Sequence, residues 1–94
     1  MSASKLSVAM VSASGQIKSS ENFTCQYANT NTYTVSYGDY YHNPVPVITL
    51  VSTQPGLSFS LSQYSGGFTL YTWKTAETTP TPEPCDFNFH VAEM

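Results

Sequence analysis

LSFSLSQYSGGFTLYTWK, residues 57–74, is most simply read two residues at a time. In its first half Leu57, Phe59 and Leu61 alternate with Ser58, Ser60 and Ser62. In its second half Phe68 and Leu70 fall on one side, Tyr71 and Trp73 on the other. Successive side chains of a strand point to opposite faces, so both halves read as strands with one apolar face turned inward. Ser65-Gly66-Gly67 joins them, and the pair reads as a hairpin. The single tryptophan of the chain then points away from the core.

The same period recurs on both sides of this hairpin. KLSVAMVS (5–12) places Leu6, Val8 and Met10 on one face, and ENFTCQY (21–27) groups Phe23, Cys25 and Tyr27. YTVSY (33–37) aligns Tyr33, Val35 and Tyr37. CDFNFHVA (85–92) puts Cys85, Phe87, Phe89 and Val91 on one face and Asp86, Asn88 and His90 on the other. Turn signals separate these runs: Gly15 among serines, the polar loop ANTNT (28–32), Gly38-Asp39 and Gln54-Pro55-Gly56. TAETTPTPEP (75–84) carries three prolines and reads as a long loop that resists strand or helix. No stretch sustains a helical period. The reading is an all-β chain, a six- to seven-stranded antiparallel β-sandwich in one domain of 94 residues. Residues 14–94 form its core, and residues 1–13 add a strand or an attachment arm.

PVPVITLVS (44–52) breaks the pattern, because Val45, Val47 and Val51 alternate with Pro46, Ile48 and Leu50 and both faces are apolar. Such a strand is usually covered on both sides. One cover is the domain's own core. The economical second cover is a neighbouring subunit, and Ile48, Leu50 and the outward Trp73 are the residues expected to meet it. A chain of this length buries only about 60–65 % of its unfolded surface, so help from an assembly fits.

Charge is sparse: three lysines, no arginine and six acids, for a net charge of −3. Lys5, Lys18 and Lys74 are scattered, which argues against a nucleic-acid partner. Solubility rests instead on Ser, Thr and amides. No transmembrane stretch is present. Residues 1–14 imitate a signal peptide only faintly, since serines break the apolar run, and they read as a strand. The expected location is a virion or the exterior, reached by assembly or lysis. Cys25 and Cys85 either form one disulfide or remain two buried thiols. Neither His42 nor His90 has the spacing of a metal site, and no cofactor is implied. No nucleophile–base motif, paired carboxylate or phosphate-binding glycine loop is present, so no catalytic residues are assigned.

Aromatic residues beside polar loops are the better lead. A sugar offers an apolar C–H face to a ring and hydroxyls to polar side chains. Trp73, Tyr71 and Lys74 form one such group, and Asp39 and Tyr40 in the loop 37–43 belong to a second. An outward tryptophan serves equally well at a subunit contact, and that alternative stands beside the ligand platform.

Four stretches together resemble the H-type lectin family, the snail-agglutinin type that also occurs at the tips of phage tail fibres. Ser14-Gly15-Gln16-Ile17 resembles the family's Ser-Gly-x-Ile opening, and Asn43–Leu50 its proline-initiated apolar strand. Gly67-Phe68 with Tyr71-Thr72-Trp73 resembles its Gly-Phe and Tyr-Thr-Trp run, and CDFNFHVA its last strand. The resemblance implies a lectin-like homotrimer with sugar sites near subunit contacts, here a virion-surface or tail-fibre component for host recognition. Lys74 stands where agglutinins often carry His, and His90 where Trp is common. A purely structural virion protein with the same fold, in a fibre, baseplate or capsid decoration, is the alternative.

Overall fold

Alternation of large apolar and small polar side chains leaves these runs one way to bury their rings, as pleated ribbons stacked face to face. The computed structural model describes residues 6–38, 47–52, 55–64, 66–75 and 79–92. Nine strands occur among them: β1 (Leu6–Val11), β2 (Ile17–Ser19), β3 (Thr24–Ala28), β4 (Thr32–Ser36), β5 (Val47–Ser52), β6 (Leu57–Tyr64), β7 (Gly67–Lys74), β8 (Thr81–Pro82) and β9 (Phe87–Ala92). They form two antiparallel sheets in a sandwich-like arrangement, all-β as the sequence predicts. The first sheet has the order β2-β1-β9-β5; the second has β3-β4-β7-β6, with β8 added beside the end of β7. The pairs β1–β2, β3–β4 and β6–β7 are neighbours both in sequence and in their sheet.

The core is aromatic. Phe87 and Phe89 of the first sheet meet Tyr33, Phe59 and Phe68 of the second. Phe68 and Phe89 sit edge to face with centroids 5.0 Å apart and planes at 86°. Tyr33 and Phe87 do the same at 5.2 Å and 75°. These are the separations at which the positive edge of one ring favours the negative face of the next. Phe23, in the crossing from β2 to β3, closes one end against Tyr37 and Phe89. Burial of each ring contributes roughly 1.5–3 kcal/mol.

Two glycines are required by close approach. A side chain at Gly67 would place its Cβ 2.0 Å from the Val35 carbonyl oxygen, so β7 can lie against β4 only without one. Gly15 has φ +91° and its missing Cβ would stand 2.5 Å from Tyr27 Cβ. That contact brings the β1–β2 turn onto β3 and ties the two sheets together at one end.

The structure settles one open face and corrects two expectations. Leu6, Val8 and Met10 do share a face, but it is the outer one; Ser7, Ala9 and Val11 are buried. The reason is register. Ala9 lies opposite Phe89 and Val11 opposite Phe87, so β1 sets its small side chains beside these rings, while Leu50 of β5 fills the other side of Phe89. In β5 the expected subunit-contact residues Ile48 and Leu50 pack against the core, opposite Val91 and Phe89, while Val47 and Val51 are exposed. The larger side chains fill the interior and the valines remain outside. Finally, the proline-rich stretch is not all loop: Thr81 and Pro82 pair with Lys74 and Trp73. Residues 6–11 are an integral strand of the first sheet, between β2 and β9.

Candidate functional site

The two sheets have opposite outer surfaces. On the second sheet the outward residues line up across four strands. One row is Ala28, Thr32, Tyr71 and Ser60; the next is Gln26, Thr34, Thr69 and Ser62. A further pair, Trp73 and Ser58, lies at the β6–β7 end. None of these ten side chains is charged, and most carry a hydroxyl.

Trp73 is half-buried on this surface, as its parity in the sequence predicts. Its Nε1–H donates to Ser60 Oγ at 3.1 Å, which fixes the indole along β6. Ser58, Ser60 and Pro80 complete a shallow depression of about 410 Å³ beside the ring. Pro80 is supplied by the segment leading into β8, whose pairing with the end of β7 holds it there. Tyr71 stands exposed one row away. The depression thus has an aromatic wall, a prolyl wall and two hydroxyls. Neutral, hydroxylated molecules with an apolar face match that chemistry.

The five ligand candidates are distributed unevenly. Trp73 and Tyr71 share one face. Lys74 is exposed but follows on the opposite parity, so the strand does not bring it together with Trp73. Asp39 and Tyr40 lie outside the described residues, as do His42 and most of the loop 37–43. Ser58, Ser60 and Pro80 were not assigned from sequence. The serines became visible only through the β6–β7 register.

A second polar cluster is internal and structural. Tyr33 Oη donates to the Ala13 carbonyl at 2.7 Å and accepts from the Cys85 N–H at 3.2 Å. The Asp86 carboxylate accepts from the Ala13 N–H at 2.7 Å. Asn31 Nδ2 donates to the Thr72 carbonyl at 2.8 Å, and the buried Thr72 hydroxyl donates to the Glu83 carbonyl. These bonds seat the segment 83–86 over the sandwich end. Burial pushes the Tyr33 phenol up to about 12. Cys25 and Cys85 are both free thiols. Burial raises Cys25 to about 11, and it also raises Cys85, with the Asp86 charge as the next cause. Two such thiols are poor nucleophiles at neutral pH. Among the described residues no group of His, Cys, Asp and Glu is placed to hold a metal ion.

The first sheet presents the contrary surface. Its outward residues are Leu6, Val8 and Met10 of β1, Ala92, His90 and Asn88 of β9, and Val47, Thr49 and Val51 of β5.

No family model, curated protein or solved structure matches this chain. The site is therefore read from its own chemistry.

Proposed function

We propose that the protein is a non-enzymatic carbohydrate-binding module, lectin-like in the sense of the H-type family, carried on a virion surface or phage tail fibre to recognise a host glycan. The observation that supports this reading is the indole of Trp73, held by Ser60 and open on one side, over a depression lined by Ser58, Ser60 and Pro80. A pyranose ring laid on the indole places C–H groups against the π face and hydroxyls near Ser58 and Ser60. The absence of charge along the neighbouring rows favours a neutral sugar over a sialylated or sulfated one. The virion setting draws on the four resembling stretches and the Ser/Thr-rich surface, which is common in virion β proteins.

The test uses the lone tryptophan as its own reporter. A glycan array identifies binders, Trp73 fluorescence reports their binding to the wild type, and isothermal titration calorimetry measures affinity in both the wild type and Trp73→Ala. Saturable binding that falls at least about tenfold in Trp73→Ala, a loss of about 1.4 kcal/mol, is the expected result. Silence across the array, or equal affinity in Trp73→Ala, overturns the proposal. The structural-virion reading gains its own support from the exposed apolar surface of the first sheet.

A further inference from the structure

We infer, resting on the reading of the Trp73 depression as a sugar site, that the protein takes a linear, neutral glycan lengthwise. The outer face of the β3-β4-β7-β6 sheet is then a track on which Trp73, Tyr71 and Tyr64 carry different sugars of one chain. On this face β7 presents Trp73, Tyr71 and Thr69, and β6 presents Ser58, Ser60, Ser62 and Tyr64. The register pairs Trp73 with Ser58, Tyr71 with Ser60, Thr69 with Ser62 and Gly67 with Tyr64. The three rings thus stand in the first, second and fourth rows, and on these two strands the third row holds hydroxyls alone. Tyr71 is 36 % exposed and Tyr64 44 %. From β3 and β4 the same face receives only Thr24, Gln26, Ala28, Thr32, Thr34 and Ser36. Among the described strands of this sheet, every outward aromatic side chain therefore lies on the β6–β7 pair.

Spacing sets the length of the occupant. Alternate residues of a strand are about 7 Å apart, so the track from Trp73 to the row of Tyr64 spans about 20 Å. A single pyranose ring covers one platform and leaves the others bare. The indole also leans toward its neighbour: its Nε1–H reaches Ser60, the residue paired with Tyr71, and not Ser58, the partner of Trp73 itself. Ser60 therefore stands between the first two rings, at the place of the link between two sugars. Beyond Tyr71, only Thr69 and Ser62 occupy β6 and β7 before Tyr64, so nothing on these strands stops the chain there.

Chemistry selects the kind of chain. A linear glycan offers apolar C–H faces in series, with hydroxyls along its edges. The rings bind the first, and Ser58, Ser60, Ser62, Thr32, Thr34 and Thr69 bond the second. No residue of the four rows is charged, so an acidic polysaccharide would give up water there without gaining a countercharge. What the face recognises is the run of the chain more than the identity of its terminal sugar.

Calorimetry of the full chain with cello-, manno- and malto-oligosaccharides of one to six sugars tests it, beside the glycan array. At least one series binds, and its hexasaccharide binds at least about tenfold more tightly than its monosaccharide. Trp73→Ala weakens every length that binds. Tyr71→Ala weakens the disaccharide and longer chains but spares the monosaccharide, and Tyr64→Ala weakens the hexasaccharide but spares the disaccharide. Tyr71→Phe and Tyr64→Phe keep the rings and bind like the wild type, and unchanged far-UV circular dichroism verifies that each variant is folded. Equal affinity from one sugar to six, a hexasaccharide held as tightly without Tyr71 and Tyr64, or no binding of any series overturns the inference. The reading of the site itself falls separately, on silence across the whole array or indifference to Trp73→Ala.

Discussion

Replacing Tyr33 by Phe removes one oxygen and two hydrogen bonds while leaving the ring against Phe87 and Tyr27. The Cys85 N–H, which donates to that oxygen at 3.2 Å, is buried and loses its acceptor, a cost of roughly 1–3 kcal/mol. The Ala13 carbonyl, 2.7 Å away, lies nearer the surface, where water can replace the phenol, and its loss costs about 0.5–1.5 kcal/mol. The expected destabilisation is roughly 2–4 kcal/mol, read by urea unfolding at pH 7, or a Tm lower by about 8–20 °C. The pH dependence gives a second reading. An unfolded tyrosine titrates near 10, whereas burial holds Tyr33 at about 12 in the folded chain. The folded state therefore prefers the neutral phenol. That preference stabilises fully below pH 10 and is lost as the pH rises toward 12. The stability gap between wild type and Tyr33→Phe should thus narrow across this window. A gap below about 0.5 kcal/mol at pH 7, or one that stays constant into the alkaline range, refutes the role assigned to this oxygen.

Two further predictions concern the scaffold. Gly67→Ala forces a methyl to within 2.0 Å of the Val35 carbonyl oxygen, so β7 must separate from β4; the expected loss exceeds about 3 kcal/mol, and a variant with wild-type unfolding would refute the close approach. Cys25, held at about 11 against an ordinary 9.0, should react with a thiol reagent at pH 8 about 100-fold more slowly in the folded than in the urea-unfolded chain; equal rates would place it in open solvent.

Legibility in the sequence tracks contrast between alternate positions. CDFNFHVA and YTVSY set rings on one parity and polar groups on the other, and Phe87, Phe89, Tyr33 and Tyr37 are all buried accordingly. Contrast fails in KLSVAMVS and PVPVITLVS, where both parities are apolar. There the choice depends on neighbours that only register supplies. Phe87 and Phe89 admit Val11 and Ala9 beside them, and Phe89 and Val91 draw Leu50 and Ile48 inward. The candidate site divides the same way. Trp73 and Tyr71 were readable from parity alone, whereas Ser58 and Ser60 needed the β6 register and Pro80 needed the β8 pairing. The state of the two thiols depends on the separation of their sulfurs in space, which neither parity nor sequence spacing encodes.

The pairing of Leu6 with Ala92 sets the order in which this protein can be completed. β9 lies between β1 and β5, so both await a neighbour that the ribosome makes only after every other described strand. A nascent chain stopped before Cys85 can form the β3–β4 and β6–β7 hairpins, yet it lacks Phe87 and Phe89, the rings that join one sheet to the other. The two sheets therefore close only once Phe87 and Phe89 have been made, and until that segment emerges the strands that flank it present unpaired edges.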